Sequence, residues 1–180
     1  MTDNRTDAPA DAQTNGPTNA QADAAQLPPA PFKLIAQYLK DLSFENPGAV
    51  TVLTSPQREV PRGQLKFDVQ AKIVAPMKYE VSLVLGITAQ REQDTIYIVE
   101  LEYAGLFDIT GAPEEHITPL LMIEAPRLLF PFAREILANA TNAGGYPPVL
   151  LNPVDFVAVY REQMSRRAAA GAPAPVIPTA

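Results

Sequence analysis

The sequence contains 180 residues, 47% of them hydrophobic, and it carries a formal net charge of −6 at pH 7. A chain of this length can bury a core of its own as one domain, and its acidic balance argues against nucleic acid or an anionic membrane surface as the main partner, because both need a basic footprint. The absence of cysteine excludes disulfides, thiol nucleophiles and cysteine-based metal sites, and it fits a reducing compartment.

Residues 1–30 are predicted to form a disordered acidic tail. They contain one large aliphatic residue besides Met1, namely Leu27, and four Asp against Arg5 give them a net charge of −3. Such a composition buries too little surface to offset the entropy of ordering. The N-terminus lacks the basic and apolar regions of a signal peptide, and no run approaches the ~20 apolar residues of a membrane span. We therefore expect a cytoplasmic protein with no direct membrane insertion.

The first apolar stretch, 32–44, fits both a strand and a helix. Strand-like alternation is seen at Phe32, Leu34, Ala36, Tyr38, Leu42 and Phe44. Helical spacing is seen at Leu34, Ile35, Tyr38, Leu39 and Leu42. Periodicity alone does not decide between them. The next block, 45–63, carries three prolines and two glycines, so we expect it to be largely loop, with an apolar patch around Val52.

Three amphipathic strands are predicted next, over 64–75, 79–89 and 95–107. In each of them apolar residues alternate with polar ones, as in a sheet with one buried face. The connections are short enough for hairpins. The three strands therefore predict an antiparallel meander with one solvent-exposed face.

Helices are predicted after the strands. The segment 113–124 looks helical but is interrupted by Pro119, and a longer helix starts at Pro126, which suits the first helical position. Pro131 lies inside that helix and predicts a kink, and Gly144 with Gly145 can end it. Strands followed by helices predict an α+β domain with helices on one sheet face.

A second C-terminal helix is predicted to begin at Asn152, as N-cap, with Asp155 in its first turn. Phe156, Val159 and Tyr160 continue one face of it. From residue 165 the chain becomes rich in Ala, Pro and Gly, which predicts a flexible tail over 165–180.

Catalytic patterns are weak in this sequence. The single histidine, His116, has no nucleophile pattern beside it and is typical of a surface residue. Glu100 and Glu102 share one face of a strand, but that face is the polar one, so we interpret the pair as solvated. No glycine-rich phosphate loop occurs. Nothing in the sequence calls for an enzyme, a metal or a cofactor.

The apolar content exceeds what a small two-layer monomer needs. Two apolar helices are predicted to lie on a sheet, and the first segment of the chain is apolar as well. Surplus apolar area marks either an oligomer interface or a binding groove for peptide or lipid. Both interpretations stay open at this point.

Several stretches carry a resemblance to a known family. They are 38–47 (YLKDLSFENP), 79–89 (YEVSLVLGITA), 105–107 (GLF), 126–135 (PRLLFPFARE) and 145–160. From about 32 to 164 the chain resembles the SecB family of bacterial export chaperones. The loop 48–63 departs from the family pattern because it contains no Trp, which family members often place there to line a peptide groove.

The resemblance implies a chaperone domain over 31–164 in which 32–44 is a strand. It implies a four-stranded antiparallel sheet with two C-terminal helices packed on one face, and a homotetramer built as a dimer of dimers. First strands would pair across subunits, and the long helix would be buried between dimers. The interface residues expected on that basis are Leu128, Leu129, Phe132 and Ile136.

The activity implied by the resemblance is ATP-independent holding of unfolded precursor proteins, followed by their delivery to the SecA motor. The residues that match the family's SecA contact surface are Asp41, Glu45, Ile98 and Glu100. Those that match its aromatic client groove are Tyr79, Tyr97 and Tyr160. The alternative is a small-ligand or lipid-binding protein that uses the same apolar groove.

Overall fold

The computed structural model describes residues 32–55 and 62–169, which form a four-stranded antiparallel sheet with helices. The strands are β1 (Lys33–Glu45), β2 (Arg62–Ala75), β3 (Lys78–Arg91) and β4 (Asp94–Asp108), and their order in the sheet is β1-β4-β3-β2. The predicted α+β class, the four strands and the strand over 32–44 are thereby confirmed. The predicted tail 1–30 and most of the predicted tail 165–180 lie outside the described residues.

Strands β2, β3 and β4 form the predicted meander. Two-residue turns join them, and the second residue of the first turn, Met77, and the first of the second, Glu92, have positive φ values of 55° and 54°. Positive φ in two-residue hairpin turns matches the right-handed twist of the flanking strands. Every second side chain of β4 from Tyr97 to Tyr103 is buried, as the alternation predicted.

Strand β1 does not keep a simple alternation. Its pairing with β4 shifts at two places, between Leu34 and Ala36 and between Leu39 and Asp41. Each shift inserts one extra residue, and an extra residue exchanges the faces of the side chains that follow it. As a result Tyr38 lies on the opposite sheet face from Leu34, although the sequence pattern placed both on one face. The sequence prediction of one shared face was wrong because the alternation of apolar and polar residues does not show where a β-bulge occurs.

The helices follow the strands in chain order. They are α2 (Glu114–Pro119), a wide π-turn (Leu120–Glu124), α3 (Ala125–Ala143) and α4 (Phe156–Ala169); a short helix α1 (Ala49–Leu53) lies between β1 and β2. Pro126 has no N–H for the Met122 carbonyl, which explains why the helical bonding widens directly before it. The α3 helix continues through Pro131, and the kink there stays a prediction.

Two local expectations are corrected by the structure. The N-cap of α4 is Asp155 and not Asn152, because Asp155 Oδ1 accepts hydrogen bonds from the backbone N–H groups of Val157 at 3.0 Å and Ala158 at 3.1 Å. Within the block 45–63, which is expected to be largely loop, the short helix α1 forms and buries Val52 of the expected apolar patch. Helix α4 also continues to Ala169, five residues into the segment predicted as a tail.

The core lies between the sheet and α3. Leu129, Ala133 and Leu137 of α3 are fully buried against the apolar face of β3 and β4. Gly105 permits this close approach, since a Cβ there would lie 2.9 Å from a side-chain atom of Leu129. The opposite face of the sheet, called the outer face below, carries polar residues of all four strands.

Candidate functional site

An apolar pocket of about 310 Å³ opens between the sheet and the loop that follows α3. Its lining residues are Gly63, Leu65, Ile87, Tyr97, Tyr146, Pro147, Pro148, Val149 and Leu151. Tyr97 and Tyr146 are buried, and their ring centroids lie 4.7 Å apart. The pocket has the size and the apolar lining of sites that accept side chains or small ligands.

The loop that forms one wall of the pocket is tied to the end of α3. Gly145 takes a left-handed conformation, with φ at 90°, and its N–H donates to the carbonyl of Asn142. The N–H of Tyr146 donates to the carbonyl of Thr141, and the N–H of Val149 donates to Thr141 Oγ1 at 3.0 Å. The wall is therefore largely preformed and does not need ordering when a ligand binds.

The end of β1 supports the same wall. Phe44 stacks on Tyr97 with 5.7 Å between ring centroids. Asn46 Oδ1 accepts a hydrogen bond from the Tyr146 hydroxyl at 2.7 Å, and Asn46 Nδ2 donates to the Gly144 carbonyl at 3.0 Å. Burial raises the pKa of Tyr146 although the bond to Asn46 lowers it, so the hydroxyl keeps its proton and remains a donor at neutral pH.

Exposed apolar side chains occur on the segments that border the pocket. Leu65 is 48% exposed at its mouth, Leu150 of the loop is 67% exposed, and Leu53 of α1 is 45% exposed and packs beside Gly145. We call these three residues the apolar rim. A pocket with such a rim can hold an apolar chain segment longer than one side chain.

The predicted groove residues are not brought together. Tyr97 lines the pocket, whereas Tyr79 pairs with Phe107 near the other end of β3 and is 1% exposed. Tyr160 is half-buried on α4, one turn beyond Phe156. The role of all three in client binding stays a prediction. Sequence reasoning missed Tyr146, although its place between two glycines and two prolines is typical of a rigid loop that presents an aromatic ring.

The predicted docking residues do come together, on the outer face. In the register of β1 with β4, Glu45 lies opposite Ile98, Ser43 opposite Glu100 and Asp41 opposite Glu102. Asp41, Glu45 and Glu100 are exposed, and within the described ranges none of the three forms an ion pair. We call Asp41, Glu45, Ile98 and Glu100 the acidic strip; its free carboxylates can attract a basic partner.

A second group of charges on the outer face is internally neutralised. Glu80, whose side chain is 9% exposed, receives hydrogen bonds from Tyr38, Lys40 and Lys72, with both lysine distances at 2.9 Å, and Lys40 also contacts Glu102 at 2.8 Å. Burial tends to raise the pKa of Glu80, but the three hydrogen bonds outweigh it and lower that pKa to about 2. The cluster is therefore ionised and paired at neutral pH.

Three of the four predicted interface residues are available at the surface of α3. Leu128 and Phe132 are 44% and 43% exposed, and Ile136 is half-buried. Leu129 differs, because it is fully buried over Gly105 within its own chain and offers no surface to a partner. Phe132 stacks on Tyr103 beside the exposed Leu39 of β1, so one apolar patch joins α3 to the edge strand.

Neither a metal centre nor a membrane span is indicated by residues 32–55 and 62–169. No cluster of three or more His, Cys, Asp or Glu side chains suited to a metal occurs in these ranges. None of the helices in the same ranges is long and apolar enough to cross a membrane. His116 is exposed, as the sequence predicted.

A family model described as "Preprotein translocase subunit SecB" matches residues 24–167, which is most of the chain. The chain belongs to the SecB family. The alignments with individual SecB proteins also cover most of the length of those proteins. The resemblance seen in the motifs of 38–47 and 126–135 is thereby confirmed.

Three proteins named protein-export protein SecB illustrate the relationship. The SecB of Rhodopseudomonas palustris (strain BisA53) is 50% identical over 142 residues, which cover 79% of this chain and 88% of that protein. The SecB of Maricaulis maris (strain MCS10) is 47% identical over 160 residues, with 89% and 90% covered. The SecB of Bradyrhizobium sp. (strain BTAi1) is 46% identical over 157 residues, with 87% and 94% covered.

A solved structure with the same fold is the SecB-like chaperone of Mycobacterium tuberculosis in complex with a ChAD peptide from the HigA1 antitoxin. It is 20% identical, has a TM-score of 0.57, and the match covers 68% of this chain and 90% of that one. At this identity the match supports the SecB fold and leaves the residue roles to the geometry described above.

Proposed function

We propose that this SecB-family chain is an ATP-independent chaperone that binds unfolded precursor proteins and keeps them competent for export. The observation that carries the proposal is the preformed apolar pocket with its exposed rim. Such a surface accepts apolar segments of many sequences without demanding one shape. Because the surface binds unfolded and not folded clients, mass action holds slow-folding precursors open.

The partner that we propose for the acidic strip is the SecA motor. The strip places three free carboxylates and the apolar side chain of Ile98 on adjacent strands, on the face turned away from the pocket. A basic partner could dock there while the pocket remains filled. Delivery of a client to SecA needs that separation of the two surfaces.

The assembly that we propose is a homotetramer, a dimer of dimers, in the cytoplasm. Support for it comes from the apolar patch of Leu39, Leu128 and Phe132, which a monomer would leave in water. Strand β1, of 13 residues, also lies at an edge of the sheet, so the side of its backbone that does not pair with β4 can pair with another strand. Four pockets on one particle would gain avidity for a long client through effective concentration.

The proposal is tested by diluting an unfolded precursor into buffer without nucleotide and following light scattering with and without the protein. Suppression of aggregation by a particle of tetramer mass is expected. A Leu65→Glu variant should suppress less, whereas Gln64→Glu, which adds the same charge at the neighbouring exposed position, should suppress as the wild type does. A folded protein that binds a fatty acid and leaves aggregation unchanged would favour the ligand-binding alternative.

A further inference from the structure

The loop wall of the pocket offers no free backbone hydrogen-bond donor between residues 144 and 149. Gly144 N–H donates to the Ala140 carbonyl and Gly145 N–H to the Asn142 carbonyl. The N–H groups of Tyr146 and Val149 are both taken up by Thr141, one by its carbonyl and the other by its hydroxyl. The two intervening residues are Pro147 and Pro148, which have no N–H.

The Tyr146 hydroxyl is the one side-chain donor of this wall, and Asn46 takes it up. The orientation of the Asn46 amide follows from its two partners: the Gly144 carbonyl only accepts, so Nδ2 faces it at 3.0 Å and Oδ1 faces the phenol at 2.7 Å. The hydroxyl must therefore be the donor in the second bond. Both ends of the amide are used, and the Tyr146 ring is fixed with its polar end turned to β1.

We propose, on the basis of the chaperone function above, that Asn46 is a specificity-determining residue of the client pocket. By accepting the Tyr146 hydroxyl hydrogen, it leaves residues 144–149 of the wall without a free donor. A client carbonyl oxygen that enters the pocket loses its water and gains no hydrogen-bond donor from residues 144–149. Apolar client side chains lose nothing there, so this wall selects them by rejecting hydrogen-bond acceptors.

The test compares two competitor peptides that are identical except that their anchor positions carry Leu in one and Asn in the other. Each peptide displaces a tryptophan-containing unfolded client, whose fluorescence is free of background because this chain contains no Trp. For the wild-type protein we expect roughly tenfold weaker binding of the Asn peptide, the effect of burying its amide oxygen without a donor.

Variants of Asn46 and Tyr146 distinguish an effect on peptide preference from an effect on the stability of the pocket wall. Asn46→Ala frees the hydroxyl, and we expect the preference for the Leu peptide to fall roughly threefold or more. Tyr146→Phe removes the hydroxyl and should keep the wild-type preference, and the double variant should recover it. Asn46→Asp keeps the acceptor for Tyr146 while losing the donor to Gly144, so it should keep the preference even if it is less stable.

The measured peptide preferences test the proposal even if one of the variants is unstable. An Asn46→Ala protein with the wild-type preference, or a Tyr146→Phe protein whose preference rises threefold, would overturn it, because the hydroxyl would then not be masked by Asn46. Equal binding of both peptides by the wild type would also overturn it while leaving the chaperone function intact. Failure of the folded tetramer to bind any unfolded client would instead contradict the chaperone function itself.

Discussion

Single side chains set the electrostatic character of the outer face. Glu80 is nearly buried, yet it stays charged because two lysines and Tyr38 donate to it. Lys40 joins Glu80 to Glu102, and hydrogen bonds to these two carboxylates raise its own pKa. The cluster is neutral as a whole, so it does not cancel the negative charge of the acidic strip.

Glu80 should make the stability of the protein depend on pH in the acid range. The pKa of Glu80 is about 2 in the folded chain, below its ordinary value of 4.5. Its ionised side chain therefore stabilises the fold fully above pH 4.5, and this stabilisation is lost as the pH falls towards 2. We expect Glu80→Gln to lower the free energy of unfolding at pH 7 by on the order of 2 kcal/mol.

This difference should shrink progressively when urea unfolding of the two proteins is repeated between pH 5 and pH 3. Protein concentration must be the same throughout, because assembly adds to apparent stability. A difference that stays constant over this interval would mean that the ionised form of Glu80 is not what stabilises the fold.

Gly144 is a second residue on which local packing depends. A Cβ at this position would overlap the Phe44 ring, and that ring supports Tyr97 at the pocket. We expect Gly144→Ala to destabilise the protein by about 1–3 kcal/mol, since the ring has to move. Gly86→Ala is the matched control, because the new Cβ would meet Lys66 at an ordinary 3.5 Å. Equal thermal shifts for the two variants would contradict the overlap.

At the scale of elements, predictability follows the regularity of the backbone. Strands β3 and β4 could be predicted from alternation because their pairing is regular from Lys78 opposite Asp108 to Ala89 opposite Tyr97, and a regular ladder keeps the period of two. The two bulges of β1 could not, since they change the faces of side chains without changing composition. The start of α4 shows a related limit: Asn152 and Asp155 both suit an N-cap, and only the observed hydrogen bonds select Asp155.

The exposed side of α3 carries a prediction about assembly. Phe132→Asp places a charge in the apolar patch, so we expect a smaller particle by native mass spectrometry while the far-ultraviolet circular dichroism stays that of a folded protein. Glu135→Asp, at an exposed position of the same helix, should leave the particle unchanged. Leu129→Asp should behave differently and unfold the chain, because Leu129 is fully buried within it.

If Phe132→Asp leaves the tetramer mass intact, this patch is not the interface between subunits. If Leu129→Asp folds normally but dissociates, Leu129 contributes to the interface although it is buried within the single chain. The two substitutions introduce the same charge three residues apart on one helix. Their contrast therefore separates an interface role from a core role.

For the whole molecule, the central feature is that the two proposed binding surfaces lie on opposite sides of one sheet. Sequence motifs predicted the family, the fold and the four residues of the acidic strip as a spatial group. They could not predict the support of the pocket wall, because Asn46 and Tyr146 are 100 residues apart and no local pattern links them. Contacts between distant segments depend on the completed fold.

The separation of the surfaces predicts that they can be weakened independently. Glu100→Lys should weaken SecA binding roughly three- to tenfold, with less dependence on salt, because the attraction acts between solvent-exposed charges. Client binding should be unchanged. Glu115→Lys, the same charge reversal at an exposed position of α2, should leave both affinities as they are. Unchanged SecA affinity in Glu100→Lys would show that the acidic strip is not the docking surface.

The end of β1 serves both surfaces with three consecutive residues. Phe44 and Asn46 contact the aromatic rings of the pocket, while Glu45 between them belongs to the acidic strip on the outer face. Insertion or deletion of one residue just before Phe44 would exchange the two sides at once. Evolution can therefore vary the chemistry of either surface by substitution, but the length of the chain at this point is held fixed by both of them together.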